Sequence, residues 1–266
     1  MNDLLAPAKL NLALVVGPLR EDGRHEVATV LQHITLADSI RLEPAPELEI
    51  QGFPEDTLVR QALEGIARQT GEPPCWRVTI EKRIPVAAGL GGGSSDAAAA
   101  LRLANRTLGA PLEEESLHEL AAALGADVPF FLSSGPQLGE ADGTHLSPID
   151  LPQDYWIVLV LPHDERKVST GAVYEHFDRR GGASGFEERR NLLRSGLLLG
   201  DLAALPRNDL ASSPLSAELL AQGAFRADVT GAGPAVYGLF AEEGEAVVAQ
   251  ASLGRHGEAW VAGPAW

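Results

Sequence analysis

Apolar and polar positions alternate at the start of KLNLALVV (Lys9–Val16) and then turn wholly apolar, a pattern that predicts a strand. The side-chain period of a strand is two, so Lys9 and Asn11 fall on one face and Leu10, Leu12 and Leu14 on the other. The pattern breaks at PLREDGRHEV, a turn around Asp22–Gly23. HITLADSIRLEPA (33–45) and LEIQGF (48–53) predict further strands, and WRVTIEKRIP (76–85) a strand closed by proline. Helical spacing runs over Thr57–Gly71, with a glycine stop. It returns in SSDAAAALRLANRTLG (94–109), with Ser and Asp at the start and Gly109 at the end. LEEESLHELAAALGAD (112–127) is a further helix, acidic in its first turn as the helix dipole prefers. VPFFLSSG (128–135) reads as a loop or the start of a strand.

In the second half, YWIVLVLP (155–162) predicts a buried strand and VSTGAVYEHF (168–177) the start of a helix. RRGGASGF (179–186) reads as a loop, and 190–205 and 213–223 as helices. Residues 225–241 read as strand, tight glycine turn, strand, and 243–254 as a last helix. The stretch GTHLSPIDLPQDY (143–155) turns polar and proline-rich before a fresh strand, which predicts a boundary between domains 1–150 and 151–266. Strands and helices mix without a βαβ rhythm, so the expected class is α+β.

The 266 residues are 45% hydrophobic, enough for a packed core. The formal net charge of −16 speaks against nucleic acid as a partner, because Arg179–Arg180 and Arg189–Arg190 are too short to form a basic patch. A small phosphorylated ligand stays open, since a few fixed donors suffice for it. The single cysteine, Cys75, permits no intramolecular disulfide and suits a reducing compartment. It sits among Pro73, Pro74 and Trp76 with no histidine beside it, and is read as structural. No apolar run approaches the ~20 residues of a membrane span. The opening residues carry Asp3 and no positive cluster, unlike a signal peptide. The chain is expected to be soluble and cytoplasmic.

The densest local signal is PVAAGLGGGSSDAAAALRLAN (85–105). A Walker-type phosphate loop needs G-x-x-x-x-G-K-[ST], and no lysine follows here. Gly89, Gly91 and Ser94 fit a dinucleotide fingerprint loosely, but the acidic residue expected about 20 positions later, at the end of a second strand, falls in a helical region. A third reading is a different phosphate cradle. Glycines at 89 and 91–93 let backbone N–H groups approach an anion, and Ser94 and Ser95 add hydroxyl donors. The helix that follows contributes its unpaired amides and positive end. Asp96, in the first turn, would complement the dipole and face away from the anion. A flexible loop with an ordinary Ser/Asp cap is the plain alternative.

PVAAGLGGGSSDAA (85–98) resembles the ATP-phosphate loop of the GHMP kinases. PAKLNL (7–12) is similar to that family's first motif, and DVTGAGPAVYGLF (228–240) to its third, a glycine-rich turn. The three blocks occur in order and span nearly the whole chain. APAKLNLAL, EDGRHEV, GLGGGSSDAA and LGADVPFFL together resemble the branch acting on a cytidine diphosphate-linked methylerythritol. Mevalonate, homoserine and galactose kinases do not usually combine DG-x-H near the start with GADVPFF in the middle.

The resemblance implies an N-terminal nucleotide-binding domain followed by a C-terminal ferredoxin-like domain. It implies ATP-dependent phosphorylation of the 2-hydroxyl of that small-molecule substrate, on the non-mevalonate route to isoprenoid precursors. Mg²⁺ is expected with ATP, and no carboxylate pair declares itself as its ligand. Asp127 matches the position of the catalytic base; read alone, it is a turn residue ending a helix. Lys9 would hold that base ionised and stabilise charge on the transferring group. Three of the 21 basic residues are lysines (Lys9, Lys82, Lys167), so a lysine kept here hints at a role. Asn11 would bind substrate or phosphate.

Pro85, Gly89, Leu90, Gly91, Gly92, Gly93, Ser94 and Ser95 would hold the nucleotide phosphates, with Lys82 near the adenine. His25 matches a cytosine reader, Tyr174 a stacking aromatic and Thr170 a substrate contact. Arg24 stands where the family commonly has Tyr, and Thr57 where it has Asn; a guanidinium also stacks on a base. Gly231 and Gly233 would let the third motif approach the substrate diphosphate. Two alternatives remain: another small-molecule GHMP kinase, of mevalonate or homoserine type, and a non-catalytic nucleotide or metabolite sensor on the same scaffold.

Overall fold

The computed structural model describes residues 2–163 and 169–265. Its elements follow the order β1 (Asp3–Leu19), β2 (His25–Pro44), β3 (Glu49–Gln51), α1 (Thr57–Thr70), β4 (Trp76–Glu81), α2 (Gly92–Thr107), α3 (Glu114–Leu124), β5 (Gln137–Glu140) and β6 (His145–Pro148). After these come β7 (Trp156–Pro162), α4 (Thr170–Arg179), α5 (Phe186–Leu199), α6 (Leu215–Ala221), β8 (Arg226–Val229), β9 (Val236–Phe240), α7 (Glu243–Leu253) and β10 (Gly257–Ala262). The mixture is the expected α+β type.

The chain divides into two compact units that interleave in sequence. The first takes the chain up to Ala8, Leu36–Val86 and Gly91–Ser134; the second takes Lys9–Thr35, Ala87–Leu90 and the described residues from Gly135 onward. The long strands β1 and β2 each contribute to both.

In the first unit, β2 pairs antiparallel with β4 through Ser39–Pro44, and β3 pairs parallel with β4. Helix α1 packs on α2 and α3. It starts where Asp56 Oδ1 accepts a hydrogen bond from Val59 N (3.0 Å) and stops at Gly71, whose φ of 76° is left-handed. Val59, Leu63 and Ile66 recur at helical spacing and are buried.

In the second unit, β2 pairs with β5 through Thr29–Leu31, and β5 with β6. A separate antiparallel sheet runs in the order β10-β7-β9-β8. Its Val158, Val160, Val236 and Phe240 pack with Leu219, Ala246, Ala249 and Leu253 of α6 and α7. This covers one face of the sheet with helices.

Several expectations change. Strand β1 is twice the length its alternation marks, and residues 8–17 are buried throughout, so the Lys9–Asn11 face is covered as well. The polar stretch near 143–155 is not bare linker: β6 lies in it, with Pro148 at its end as sheet edges allow. Residues 129–132 form a 3₁₀ turn rather than a strand. The helix predicted over 190–205 stops at Leu199, because Gly200 adopts a φ of 63°. Helix α4 begins at Thr170; Lys167 and Val168 of the sequence reading lie outside the described residues. Among the described residues, no helix is long and apolar enough to cross a membrane.

Candidate active site

Burying a lysine and an asparagine on one strand face is costly unless every polar atom is paired. In the second unit the pairing is explicit. Lys9 and Asn11 are 4% and 5% exposed, and Lys9 Nζ donates to Asn11 Oδ1 at 2.6 Å. The other end of the amide, Nδ2, donates to Thr29 Oγ1 at 2.8 Å, and Thr29 Oγ1 donates to Ala13 O at 2.8 Å. Thr29 therefore fixes which way the Asn11 amide faces. Asn11 N donates to Thr230 Oγ1 at 3.0 Å, which ties β1 to the glycine turn 219 residues away in sequence.

Three segments meet at this pair. Lys9 N donates to Leu90 O at 2.9 Å, and Ala235 N to Ala88 O at 3.1 Å. Gly89 (φ 86°) and Gly231 (φ 57°) are left-handed, where a side chain is strained. A Cβ on Gly89 would lie 2.5 Å from Thr230 O; one on Gly231 would lie 3.5 Å from Lys9 Nζ and 3.4 Å from Asn11 Oδ1. These glycines permit close approach of backbone to backbone and of backbone to the lysine. Asn208 supports the turn from behind, its Nδ2 donating to Val229 O (2.9 Å) and Gly231 O (2.7 Å). Asp228 Oδ2 in turn accepts from Asn208 N (2.8 Å). Gly233, also left-handed, closes the turn with its N–H on Thr230 O at 3.0 Å.

The same unit holds the residues matched to base recognition. His25 is buried, with Nδ1 2.8 Å from Gly17 O and Nε2 3.4 Å from Asp178 Oδ1. A carbonyl only accepts, so Nδ1 carries a proton. The ring stacks on Tyr174 (centroids 5.0 Å apart, 26° between planes) and meets Phe177 edge-on at 5.7 Å. Leu14, Val16, Val27 and Leu210 form the apolar floor. Arg24 is exposed, and its guanidinium pairs with Asp142 in the turn between β5 and β6 rather than stacking on a ring. Thr170 is exposed at the first position of α4.

The first unit carries the other half of the glycine loop. Helix α2 begins at Gly92, two residues before the serines, with Gly91 (φ 71°) as its cap and no side-chain cap hydrogen bond. Its first-turn amides have no side-chain acceptor, the condition under which a helix start takes an anion. Gly92 and Gly93 present backbone there, and Ser94 is half-buried. Ser95 Oγ and Asp96 Oδ1 are buried without a hydrogen-bond partner. An uncapped helix start with an orphan hydroxyl fits a phosphate group.

Asp96 departs from expectation. The earlier helix start moves it into the second turn, where it is fully buried and takes Lys82 Nζ at 2.7 Å instead of complementing the dipole. Lys82 Nζ also donates to Asp38 Oδ2 at 2.5 Å and lies 5.7 Å from the Phe53 ring centroid. One ammonium thus serves two buried carboxylates. Burial pushes Asp96 up to about 7 against the pull of Lys82. Burial draws Lys82 down, but the two carboxylates outweigh it and hold its ammonium above the ordinary value. Pro85 is half-buried after this cluster and Leu90 is buried. Asp127 is half-buried in the turn between α3 and the 3₁₀ segment at 129–132. Among the described residues, no cluster of three or more His, Cys, Asp or Glu has the geometry to hold a metal.

Residues invisible to the motif reading are Thr29, Asp38, Asp142 and Asn208. Thr29 meets partners 16 and 18 residues away, Asp38 an amide 45 away, Asp142 the side chain of Arg24 118 away, and Asn208 a turn 21 and 23 residues ahead. A polar residue inside an apolar strand run, as at Thr29 and Asp38, is the one signal that marks two of them.

The chain matches the family models "GHMP kinases N terminal domain" over residues 57–135 and "GHMP kinases C terminal" over 193–259. A 4-diphosphocytidyl-2-C-methyl-D-erythritol kinase of Geobacter sulfurreducens is 37% identical over 261 residues, covering 92% of this chain and 91% of the relative. The crystal structure of a 4-(cytidine 5'-diphospho)-2C-methyl-D-erythritol kinase superposes with a TM-score of 0.84 at 31% identity, covering 99% of each chain. A homoserine kinase from Cytophaga hutchinsonii shares the fold (TM-score 0.77, 16% identity, 100% of this chain and 96% of that one).

Proposed function

The chain belongs to the GHMP kinases, and we propose that it transfers the terminal phosphoryl group of ATP to the 2-hydroxyl of 4-diphosphocytidyl-2-C-methyl-D-erythritol. This is a step of the non-mevalonate route to isoprenoid precursors. The observation that carries the reading is identity of 37% across nearly the full length to a kinase named for that substrate. The buried Lys9–Asn11 pair and the His25–Tyr174 stack support it.

Phosphoryl transfer asks a protein mainly for positioning and charge stabilisation. The substrate hydroxyl attacks the γ-phosphorus, the bond to the ADP oxygen breaks, and the hydroxyl proton goes to the base. Asp127 takes that proton. Lys9, held by Asn11, stabilises negative charge on the transferring group. Gly89 to Ser95 bind the phosphates through backbone amides and hydroxyls. His25 and Tyr174 hold the cytosine, with Thr170 and Arg24 as further substrate contacts. Gly231 and Gly233 leave room for the substrate diphosphate. Mg²⁺ bound with the nucleotide would supply charge neutralisation on the phosphates, held chiefly through phosphate and water.

An ADP-release assay tests the reading against three acceptors: the cytidylyl substrate, mevalonate and homoserine. Turnover with the first alone is expected. Preference for mevalonate or homoserine would assign another branch of the family, and nucleotide binding without turnover on any acceptor would assign a sensor.

A further inference from the structure

Asp38 lies outside every motif that carries the family resemblance, yet it ties down the approach to the glycine loop. It is completely buried on β2. Its Oδ1 accepts from two consecutive amides, Arg83 N (2.5 Å) and Ile84 N (2.8 Å), and its Oδ2 from Lys82 Nζ (2.5 Å). Strand β4 ends at Glu81, and its register with β2 ends with it, so these amides have left the sheet ladder. The carboxylate takes the place of the missing strand partner. Lys82 then continues to Asp96 Oδ2 at 2.7 Å. Residues 82–84 lead into the glycine loop, and Asp96 is in the helix that leaves it. The circuit Asp38–Lys82–Asp96 therefore joins entry to exit, as a covalent cross-link would.

Two observations set this apart from a spacer. Ser95 Oγ and Asp96 Oδ1, next to each other at the exit, are buried and have no hydrogen-bond partner. A helix start shaped only for stability would not keep orphan polar atoms. The second is packing: a Cβ on Gly92 would sit 3.1 Å from Ile84 Cγ2 and 3.3 Å from Lys82 Nζ. The residues that Asp38 holds are thus the surface on which the first turn of α2 rests.

We propose that Asp38 is the positioning residue of the phosphate loop: by locking Lys82–Ile84 to Asp96 it sets where the first-turn amides of α2 point, and so governs affinity for the nucleotide. This rests on reading the loop as the ATP-phosphate cradle. Asp38 does not touch nucleotide; it acts through Lys82 and the backbone.

The test uses the full chain with Asp38→Asn, which keeps an acceptor for the two amides and removes the charge that holds Lys82. Calorimetry measures the Kd for ADP, kinetics the KM for ATP and for the cytidylyl acceptor, and hydrogen exchange the protection of residues 91–95. The expected result is a roughly 10- to 100-fold rise in Kd for ADP and KM for ATP, the scale of a misplacement near 1 Å. The acceptor's KM should stay within about twofold, and exchange at 91–95 should quicken. A general loss of packing would move both KM values together, and that outcome overturns the proposal, as does unchanged ADP affinity. Should Asp38→Asn fold poorly, Asp38→Glu keeps the charge that holds Lys82 and displaces the acceptor oxygens by one methylene. That variant is expected to bind ADP more weakly as well, and wild-type ADP affinity in it overturns the proposal. ADP affinity is read without any acceptor. A wild-type chain that binds ADP but phosphorylates none of the acceptors would refute the assigned reaction while leaving this test in force.

Discussion

Gly89→Ala separates two reasons for a glycine at the centre of the loop: backbone freedom and backbone proximity. Freedom alone is worth about 1–2 kcal/mol, the penalty for an L-residue in the left-handed region that Gly89 occupies at φ 86°. Proximity adds a second effect. The new Cβ would lie 2.5 Å from Thr230 O and 3.1 Å from Gly233 O, both main-chain atoms that no rotamer change can move. A carbon next to a carbonyl oxygen settles at about 3.3–3.6 Å, so the loop or the turn must retreat by roughly 1 Å. A retreat of that size at a reacting centre costs about 100-fold in rate. Gly71 supplies the control: its φ is 76°, and nothing lies within 4 Å of the position a Cβ would take. Gly71→Ala is expected to lower unfolding free energy by about 1 kcal/mol and to leave kcat/KM for ATP unchanged. Gly89→Ala should show a similar or larger stability loss and a fall of about 100-fold in kcat/KM. Urea unfolding and steady-state kinetics on both variants decide. If the two variants match in kcat/KM, close approach to the Thr230 turn plays no part in activity.

Asp127→Asn should lower turnover by about 10²- to 10⁴-fold while nucleotide affinity holds, as expected for loss of a base; near-normal turnover would remove Asp127 from that role. Tyr174→Ala should raise the KM of the cytidylyl substrate by up to about 100-fold, the scale of a base–aromatic stack, with less effect on ATP. Equal effects on both substrates would rule out stacking. Asp96 predicts a pH dependence. Folded, it keeps its proton up to about 7; unfolded, it loses it near 3.8. Between those values the folded chain binds the extra proton, so this contribution is complete below 3.8 and fades as pH rises through 7, by up to about 1.4 kcal/mol per unit. The stability difference between wild type and Asp96→Asn, measured by urea unfolding from pH 4.5 to 7.5, should shift against wild type as pH rises. A flat difference would show that Asp96 is ionised throughout.

The helices are the most legible part of the chain, because each buries a periodic stripe or ends on a glycine, as α1 does at Gly71. The loop and the shared face of Lys9 and Asn11 are legible for the same local reason. What escapes is non-local. Strands β5, β6 and β10 are short, four to six residues, and carry proline or glycine that reads as turn until a partner strand is present. The start of α2 reads two residues late because serine is a habitual cap, whereas Gly91 caps through its backbone conformation. Asp38 reads as one polar residue in a strand; its meaning comes from amides 45 and 46 residues downstream. The compact units interleave in sequence because β1 and β2 are long enough to serve both.

The scarcity of lysine has a practical side. Lys9 is 4% exposed, and the Lys82 side chain is 16% exposed with its ammonium held between two carboxylates. Acylating reagents need a free, deprotonated amine, so both should react slowly in the folded chain. Modification of either, followed by peptide mass spectrometry, becomes a clock for local opening. Lys82 reports on the mouth of the glycine loop and Lys9 on the turn at Thr230. Slowing of one clock and not the other on adding a ligand would tell which half of the machinery that ligand orders.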